Sequence, residues 1–455
     1  MSRSRYLLIA ALALLGLVLA AAVFLNSSKG LHRAPLNLTV VFTANANAQL
    51  EPCGCFTGQY GGLARVKTFL EKQDLPETVR VDAGNAIGGA ADYEQIRYRY
   101  VQQAFQLLHF DAMNVGAREC TLSKSQLVSL GAAPQVPLIS ANVVDAAIRK
   151  PLFPAYRIVQ RQGYRIACVG VVDPAAATDL GEGLAVLPMD AALMAILPQV
   201  KREADVLLLL AFTDEAGLKK LADAFYEFSI ILGGNVPQPS QELIRQNRSY
   251  ILYTTNETKS LGLCNLTFSH GALPKVDDWD IVLMTDQIPL SKEITALTGA
   301  YRKEIRSTAL EIDREGHAGN NQVPGIAPAA HYVGSPACTS CHQEAYRIWE
   351  QSRHARAFAS LQRADSDADP TCIACHTIGF GQPGGYRRAF GPQKLVDVGC
   401  EACHGPGSEH VAQQNVGGKV LFKYRPLNES DCRSCHYGKF SRPFEWKTWW
   451  PKIAH

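Results

Sequence analysis

Charge of one sign is scarce in this chain. Its 455 residues carry 45 Lys and Arg against 42 Asp and Glu, a formal net charge of +3, with 19% charged residues in all. So balanced a composition is that of an ordinary soluble surface, and nucleic acid is not an expected partner. Long apolar runs are missing from the last quarter, where Gly, Pro, His and Cys rise from His331 onward. A stretch of about 125 residues without such runs cannot build a conventional side-chain core. Something else must supply its buried apolar surface.

What that stretch contains is one motif four times. It reads Cys338-Thr-Ser-Cys341-His342, Cys372-Ile-Ala-Cys375-His376, Cys400-Glu-Ala-Cys403-His404 and Cys432-Arg-Ser-Cys435-His436. Chance from this composition would give roughly 0.01 such matches. Cys-x-x-Cys-His is the attachment signature of a c-type haem. The two thiols bond to the porphyrin and the adjacent imidazole supplies an axial iron ligand. Zinc-binding Cys-x-x-Cys pairs do not account for a histidine repeated at the fifth position. Four covalently bound haems are expected, and the macrocycles themselves would supply the missing apolar surface.

Eight of the 13 cysteines belong to these motifs, which leaves Cys53, Cys55, Cys120, Cys168 and Cys264. Five is an odd number, so disulfides cannot use them all. At the N-terminus, Arg3 and Arg5 precede an uninterrupted apolar run from Tyr6 to Leu25. Twenty residues of helix span about 30 Å, enough for a hydrocarbon core. Ala20-Ala21-Ala22 also offers a small-residue cleavage site. Two readings stay open: a single-pass inner-membrane anchor, or a cleaved signal. Both place the remaining chain on the outer, periplasmic side of a bacterial membrane, where such haems are attached.

After a short polar spacer, apolar strand-like runs alternate with amphipathic helical ones. Strands are expected at 36–43, 78–83, 111–116, 137–143, 164–172, 204–211, 228–233, 250–254, 261–268 and 281–285. Helices are expected at 93–109, 189–204, 214–224 and 291–314. This alternation argues an α/β layered domain of about 250 residues. Residues 316–330, rich in Gly, Pro, Asn and Ala, read as a linker. The expected organisation is an anchor or signal over 1–30, an α/β domain over 36–290, a helix and linker over 291–330, and a small, mostly helical or irregular haem domain over 331–455.

Each iron needs a second axial ligand, and the spare histidines are His331, His354, His410 and His455, with His317 in the linker. His354 follows His342 by twelve residues in a helical stretch, about 18 Å along a continuous helix. The two cannot face one iron. If His354 is a ligand it serves another haem, so the chain must wrap the haems against one another. His331 is either a ligand or a turn residue, and His317 reads as solvated.

Tyr332-Val-Gly-Ser, Ser352-Arg-His354-Ala-Arg-Ala, Gly399-Cys-Glu-Ala-Cys-His-Gly-Pro-Gly-Ser-Glu-His410 and Trp450-Pro-Lys-Ile-Ala-His455 together resemble the multihaem cytochrome c-552/4 family. The resemblance implies a tetrahaem electron-transfer domain over 331–455, with His354, His410 and His455 as distal ligands.

The N-terminal domain carries a second resemblance. Leu38-Thr-Val-Val-Phe-Thr-Ala-Asn-Ala-Asn-Ala-Gln-Leu50, Gly61-Gly-Leu-Ala-Arg65, Val81-Asp-Ala-Gly-Asn85, Asp111-Ala-Met-Asn-Val-Gly-Ala-Arg-Glu119 and Ile231-Leu-Gly-Gly-Asn235 are similar, in order and spacing, to metallophosphoesterases of the 5'-nucleotidase type. This implies a four-layer α/β/β/α sandwich over 36–290. The family's two divalent cations are held by Asp and His residues, and here those types are replaced. Asn45, Asn47 and Asn85 stand at three of the positions, Ala117 and Arg118 at an Asn-His pair, and Phe212, Asn235 and Pro237 at three histidines. Neutral amides and an arginine do not balance two close cations, so no catalytic residue is expected. Cys53, Cys55 and Cys120 fall in loops expected on one face, where they would form a disulfide, hold a new metal, or stay inert. Cys168 and Cys264 lie in apolar strands and read as buried.

The expected function is electron transfer between redox protein partners by a membrane-tethered, exported tetrahaem cytochrome c with a non-catalytic second domain. An alternative is a redox enzyme using one haem without a distal ligand. A haem-coupled phosphoesterase is disfavoured by the replaced ligands.

Overall fold

The computed structural model describes residues 34–52, 59–75, 77–132, 136–255, 257–269, 271–314, 330–388, 393–415, 424–437 and 444–455. The Tyr6–Leu25 run, Cys53, Cys55 and His317 lie outside the described residues. Among the described residues no helix is long and apolar enough to cross a membrane. The chain forms two compact units. One comprises the described residues of Met1–Asn47, Glu71–Ala86 and Leu108–Leu283; the other comprises those of Ala48–Leu70, Ile87–Leu107 and Met284–His455.

The first unit is built on two six-stranded sheets. Its strands are β1 (Leu36–Thr43), β2 (Glu77–Asp82), β3 (Ala112–Asn114), β4 (Leu138–Ile139), β5 (Val143–Asp145), β6 (Tyr156–Arg161), β7 (Tyr164–Val172), β8 (Leu184–Val186), β9 (Val206–Phe212), β10 (Ile230–Gly233), β11 (Ile244–Gln246), β12 (Ser249–Tyr253), β13 (Ser260–Phe268) and β14 (Lys275–Leu283). One sheet runs β14-β13-β1-β2-β3-β4, the other β11-β12-β10-β9-β7-β6. β1 pairs parallel with β2 and antiparallel with β13. In the second sheet β7, β9, β10 and β12 are parallel. Every residue of β9 is buried, and all but Asn37 of β1, as expected of central strands covered on both faces.

Val40, Val79 and Val81 of the first sheet join Ile166, Leu208, Leu210 and Ile230 of the second in one core. Each such side chain contributes about 1.5–3 kcal/mol by leaving water. The helices are α1 (Leu63–Lys72), α2 (Asp92–Leu107), α3 (Lys124–Gly131), α4 (Met189–Glu203), α5 (Glu215–Ala224), α6 (Lys292–Ser307), α7 (Glu311–Arg314), α8 (Gln343–Gln351), α9 (Ala357–Arg363), α10 (Pro370–His376), α11 (Cys400–His404), α12 (Ser408–Asn415), α13 (Glu429–Arg433) and α14 (Trp446–Trp449). Leu193 and Val200 of α4, with Leu218 and Leu221 of α5, pack on Leu207, Leu209 and Ile231 from the second sheet.

Three expectations change. The strand read over 137–143 is two short strands, β4 at the edge of the first sheet and β5, which pairs with β8 in a separate two-stranded sheet. The helix read over 291–314 breaks after Ser307, because Thr308 turns extended and the Ser307 and Thr308 hydroxyls both donate to the Glu304 carbonyl, competing with the helical ladder. The last strand starts at Lys275 rather than at 281. Its first half carries Lys275, Asp277, Asp278 and Asp280, charges that suit a sheet edge and hide the strand from an apolar search.

In the second unit α2 and α6 pair through an edge-to-face contact of Tyr100 and Tyr301 at 5.8 Å. The apolar cluster of the haem-motif region is small: Leu361, Ile373, Ile378, Tyr386 and Leu395. That matches a stretch with no long hydrophobic runs.

Candidate haem-binding site

The four motifs sit on short helical turns. The 3-10 turn Ser335–Cys338 opens the first, α10 and α11 carry the second and third, and α13 carries Cys432 at the start of the fourth. Local hydrogen bonds start these turns. Asp369 accepts the Thr371 N–H ahead of α10, and Asn428 with Asp431 forms a capping box on α13. Sequence-distant motifs are brought together. The thiols of Cys338 and Cys400 lie close enough to influence each other electrostatically, as do those of Cys375 and Cys435. Cys403 lies within electrostatic reach of Cys432 and Cys435. These interactions link the first motif to the third, the third to the fourth and the fourth to the second.

Glu401, inside the third motif, fastens the first neighbour pair. Its buried carboxylate accepts the N–H groups of Val333, Gly334 and Gly407 at 2.6–3.1 Å. Ser335 Oγ accepts the Cys400 N–H at 3.1 Å. The turn leading into the first motif is thus pinned to the helix of the third.

The histidines fall into pairs. Ring centroids of His342 and His410 are 6.1 Å apart, those of His354 and His436 6.0 Å, and those of His404 and His455 5.9 Å. Two imidazoles bracketing one metal ion through bonds of about 2 Å each need a separation of about 6 Å. In each pair one ring comes from a Cys-x-x-Cys-His motif and the other from outside it. His354 lies against His436, held there by the Val398 N–H on its carbonyl and by Trp349 Nε1 on Val398 O. Tyr424 packs against both His404 and His410 at 5.7 and 5.8 Å, and its hydroxyl donates to Pro406 O. Burial pushes the His354, His404 and His436 imidazoles below their ordinary value. This favours the neutral form, which offers a lone pair to a metal.

His376 differs. Its Nδ1 lies 2.7 Å from Ala357 O, and since a carbonyl only accepts, Nδ1 is the donor, which makes Nε2 the nitrogen that could face a metal. Among the described residues no second imidazole is in ring contact with it. His331, the remaining candidate for a fourth pair, is exposed; its N–H donates to Ser408 Oγ and its carbonyl accepts the Ser408 N–H. The structure does not bring His331 to a motif histidine, because this turn with Ser408 occupies its backbone and leaves its ring outward.

The haem attachments therefore fit the residues present. Eight motif cysteines (Cys338, Cys341, Cys372, Cys375, Cys400, Cys403, Cys432 and Cys435) are free of disulfides and exposed or half-buried. His410 Nδ1 is buried without a hydrogen-bond partner, as in a ring held from its other nitrogen.

The loops at the ends of the first unit's strands hold no comparable donor set. Asn85 Nδ2 donates to Asn45 Oδ1 at 3.0 Å, and Asn45 Nδ2 donates to Gly234 O and Thr255 Oγ1. Asn85 Oδ1 accepts the Arg118 N–H at 2.8 Å. Asn45, Asn47 and Asn85 all have positive φ, 52°, 46° and 60°, a conformation asparagine tolerates. The Phe212 ring packs against Gly84 and Gly234. Amide bonds and an aromatic plug stitch these loops together, and Asn235 and Pro237 are exposed. Glu119 and Asp82 are buried beneath, Glu119 accepting the Asn85 and Gly116 N–H groups. Burial pushes the Asp82 carboxyl up to about 8, with hydrogen bonds from Thr43 and Gly84 opposing. No group of three or more metal-binding side chains occurs among the described residues. Cys120 is buried and its thiol is pushed up to about 12 by burial, the mark of an inert thiol. Cys168 and Cys264 are buried in β7 and β13.

Sequence reasoning missed several residues. Glu401 was visible inside its motif but its carboxylate clamp was not. Arg97 and Tyr301, which reach Asp369 at the start of α10, had no signal, because their partner lies in another part of the chain.

Comparison with known proteins agrees with this division. Residues 337–405 match the family described as Cytochrome c554 and c-prime. Cytochrome c-554 of Nitrosomonas europaea is 34% identical over 113 residues, 22% of this chain and 48% of that protein. The chain thus spans about half the length of the curated relative it matches. A 5'-nucleotidase precursor from Thermus thermophilus superposes with a TM-score of 0.53 at 22% identity, over 59% of each chain. A calcineurin-like phosphoesterase from Bacillus subtilis gives 0.51 at 18% identity, over 60% of this chain and 98% of its own. The chain joins an α/β fold of the 5'-nucleotidase type to a smaller helical C-terminal region similar to cytochrome c554.

Proposed function

We propose that the protein is an exported tetrahaem cytochrome that transfers electrons between redox protein partners. The carrying observation is the three imidazole pairs at about 6 Å, each joining one motif histidine to one spare histidine. In this reading His342 with His410, His436 with His354, and His404 with His455 would each supply the two imidazoles for one haem iron. His376 would supply the motif ligand of the fourth. Bound haems supply one-electron redox chemistry at potentials set by axial ligands, burial and neighbouring hydrogen bonds. The chain's own part is to fix spacing and order. Glu401 and Ser335 lock the first motif to the third, and the thiols of the fourth and second motifs lie within electrostatic reach of one another.

The lone His376 favours a second reading beside the first, in which the second motif also offers an open face to a small molecule. Ala357 O orients the ring, and His376 is only partly buried, which leaves its motif accessible from solvent. The 5'-nucleotidase-like part is proposed to be non-catalytic, because asparagine amides, Arg118 and Phe212 stand where cation ligands would be needed. The Tyr6–Leu25 run is proposed to tether the chain to the inner membrane, supported by its length and the two arginines before it.

Titration of the reduced protein with carbon monoxide tests this reading. One molecule bound per chain is expected, abolished by no substitution of His354, His410 or His455. Binding of none would remove the open face, and binding of four would remove the imidazole pairs.

A further inference from the structure

The helix that carries all three attachment residues of the second motif is only seven residues long, and it is anchored from outside the haem region. Asp369 precedes it and accepts the Thr371 N–H at 2.9 Å. The same carboxylate takes two bonds from Arg97 Nη2, at 2.7 and 2.9 Å, and one from the Tyr301 hydroxyl at 3.0 Å. Arg97 Nη2 also donates to Thr371 Oγ1 at 2.7 Å, and Arg97 Nε to Tyr301 Oη at 3.0 Å. Arg97 lies on α2 and Tyr301 on α6, 272 and 68 residues from Asp369. One residue earlier, Arg388 ties Ala368 O to the Ile305 and Thr308 carbonyls at the end of α6.

The Arg97 and Asp369 side chains are only 12% and 14% exposed. Burial alone would raise the Asp369 carboxyl, but the Arg97 guanidinium and the donors from Thr371 and Tyr301 hold it below the ordinary value. A buried ion pair of this kind returns little net stability, since desolvation of both charges offsets their attraction. What it returns is a fixed geometry and a balanced local charge. Among the described residues, the helical turns of the other three motifs carry no such buried arginine–aspartate anchor.

We infer that Arg97, Tyr301 and Asp369 are positioning residues for the second motif: they fix the helix that presents His376 and hold neutral the local charge that sets the potential of the group bound there. The inference rests on the reading of that motif as a haem site with one open face. Asp369 at the start of the motif's helix is the charge the variants change and Arg97 is its balance; Asp397, which also acts on His376, stays the same in every variant. Removing either leaves the other uncompensated at low dielectric, where a lone negative charge favours the oxidised iron and a lone positive charge the reduced one.

The experiment is a spectroelectrochemical titration of the full-length haem-loaded protein, following the high-spin signal separately from the low-spin ones. Asp369→Asn keeps a side-chain oxygen for the helix cap but removes the charge, and should shift the high-spin midpoint upward. Arg97→Met should shift it downward, and the double variant should return it toward the wild type. The low-spin midpoints should stay in place throughout. If Arg97→Met does not accumulate, Tyr301→Phe removes one donor to the carboxylate and should shift the same midpoint downward. Shifts of the same sign in both single variants, or no shift in either, overturn the inference. A wild type without a high-spin haem would instead remove the open-face reading, and this inference with it.

Discussion

Replacing Glu401 with alanine should destabilise the haem region more than any other single change within a motif that spares cysteine and histidine. Its carboxylate is 4% exposed and satisfies three backbone N–H donors, those of Val333, Gly334 and Gly407. A buried donor left without a partner costs about 1–3 kcal/mol. Three of them bound the loss at roughly 3–9 kcal/mol. Water entering the space left by the side chain would keep it near the lower figure. Even about 3 kcal/mol is a large part of the roughly 5–15 kcal/mol that holds a typical domain together. Glu401→Gln should recover little, because its amide NH2 would face N–H groups that need an acceptor. Glu429→Ala is the control, since it removes only an exposed pair with Arg433 one helical turn away, worth about 0.3–0.5 kcal/mol. The assay is denaturant unfolding of the oxidised, haem-loaded protein, followed by the Soret band and by far-ultraviolet circular dichroism. A Glu401→Ala midpoint indistinguishable from that of Glu429→Ala would refute the clamp.

Other outcomes follow from the same geometry. His354→Ala, His410→Ala and His455→Ala should each convert one haem from low to high spin by electron paramagnetic resonance, while His331→Ala converts none; a conversion in His331→Ala would place that ring on the fourth iron. Asp82 is protonated in the folded state up to about pH 8, against an ordinary value of 3.8, so the unfolded chain releases that proton first and stability falls as pH rises through that window. Asp82→Asn mimics the protonated acid and should gain on the wild type by a few kcal/mol, order of magnitude, between about pH 5 and pH 9; an equal gap at both pH values contradicts this. With added Mn²⁺ or Zn²⁺ the protein should hydrolyse no nucleotide and retain no pair of metal ions, and turnover together with two bound equivalents would show that the asparagine-lined loops still hold a centre.

The sheet framework was legible in the sequence because its central strands are continuous apolar runs. β1 and β7 fall on the residues that the pattern marks. β6, β8 and β11 escaped it: they are short or lie at a sheet edge, where alternate residues are polar. The attachment residues were legible because covalent chemistry demands a fixed local spacing. Which spare histidine meets which motif was not, since the pairs are joined across 51 to 82 residues and only the fold brings them together. The separation of His354 from His342 along the chain did require a different partner for each. His331 illustrates the limit, because a histidine in a turn and a histidine ligand look alike in sequence. Arg97 shows the same limit in reverse: nothing on an amphipathic helix announces a carboxylate 272 residues away.

The most direct test of the account is to count haems and their spin states in the purified, oxidised wild type. Pyridine haemochrome against protein concentration should give four haems per chain, and electron paramagnetic resonance should give three low-spin irons to one high-spin iron. Two haems per chain, or four irons all low-spin, would contradict it.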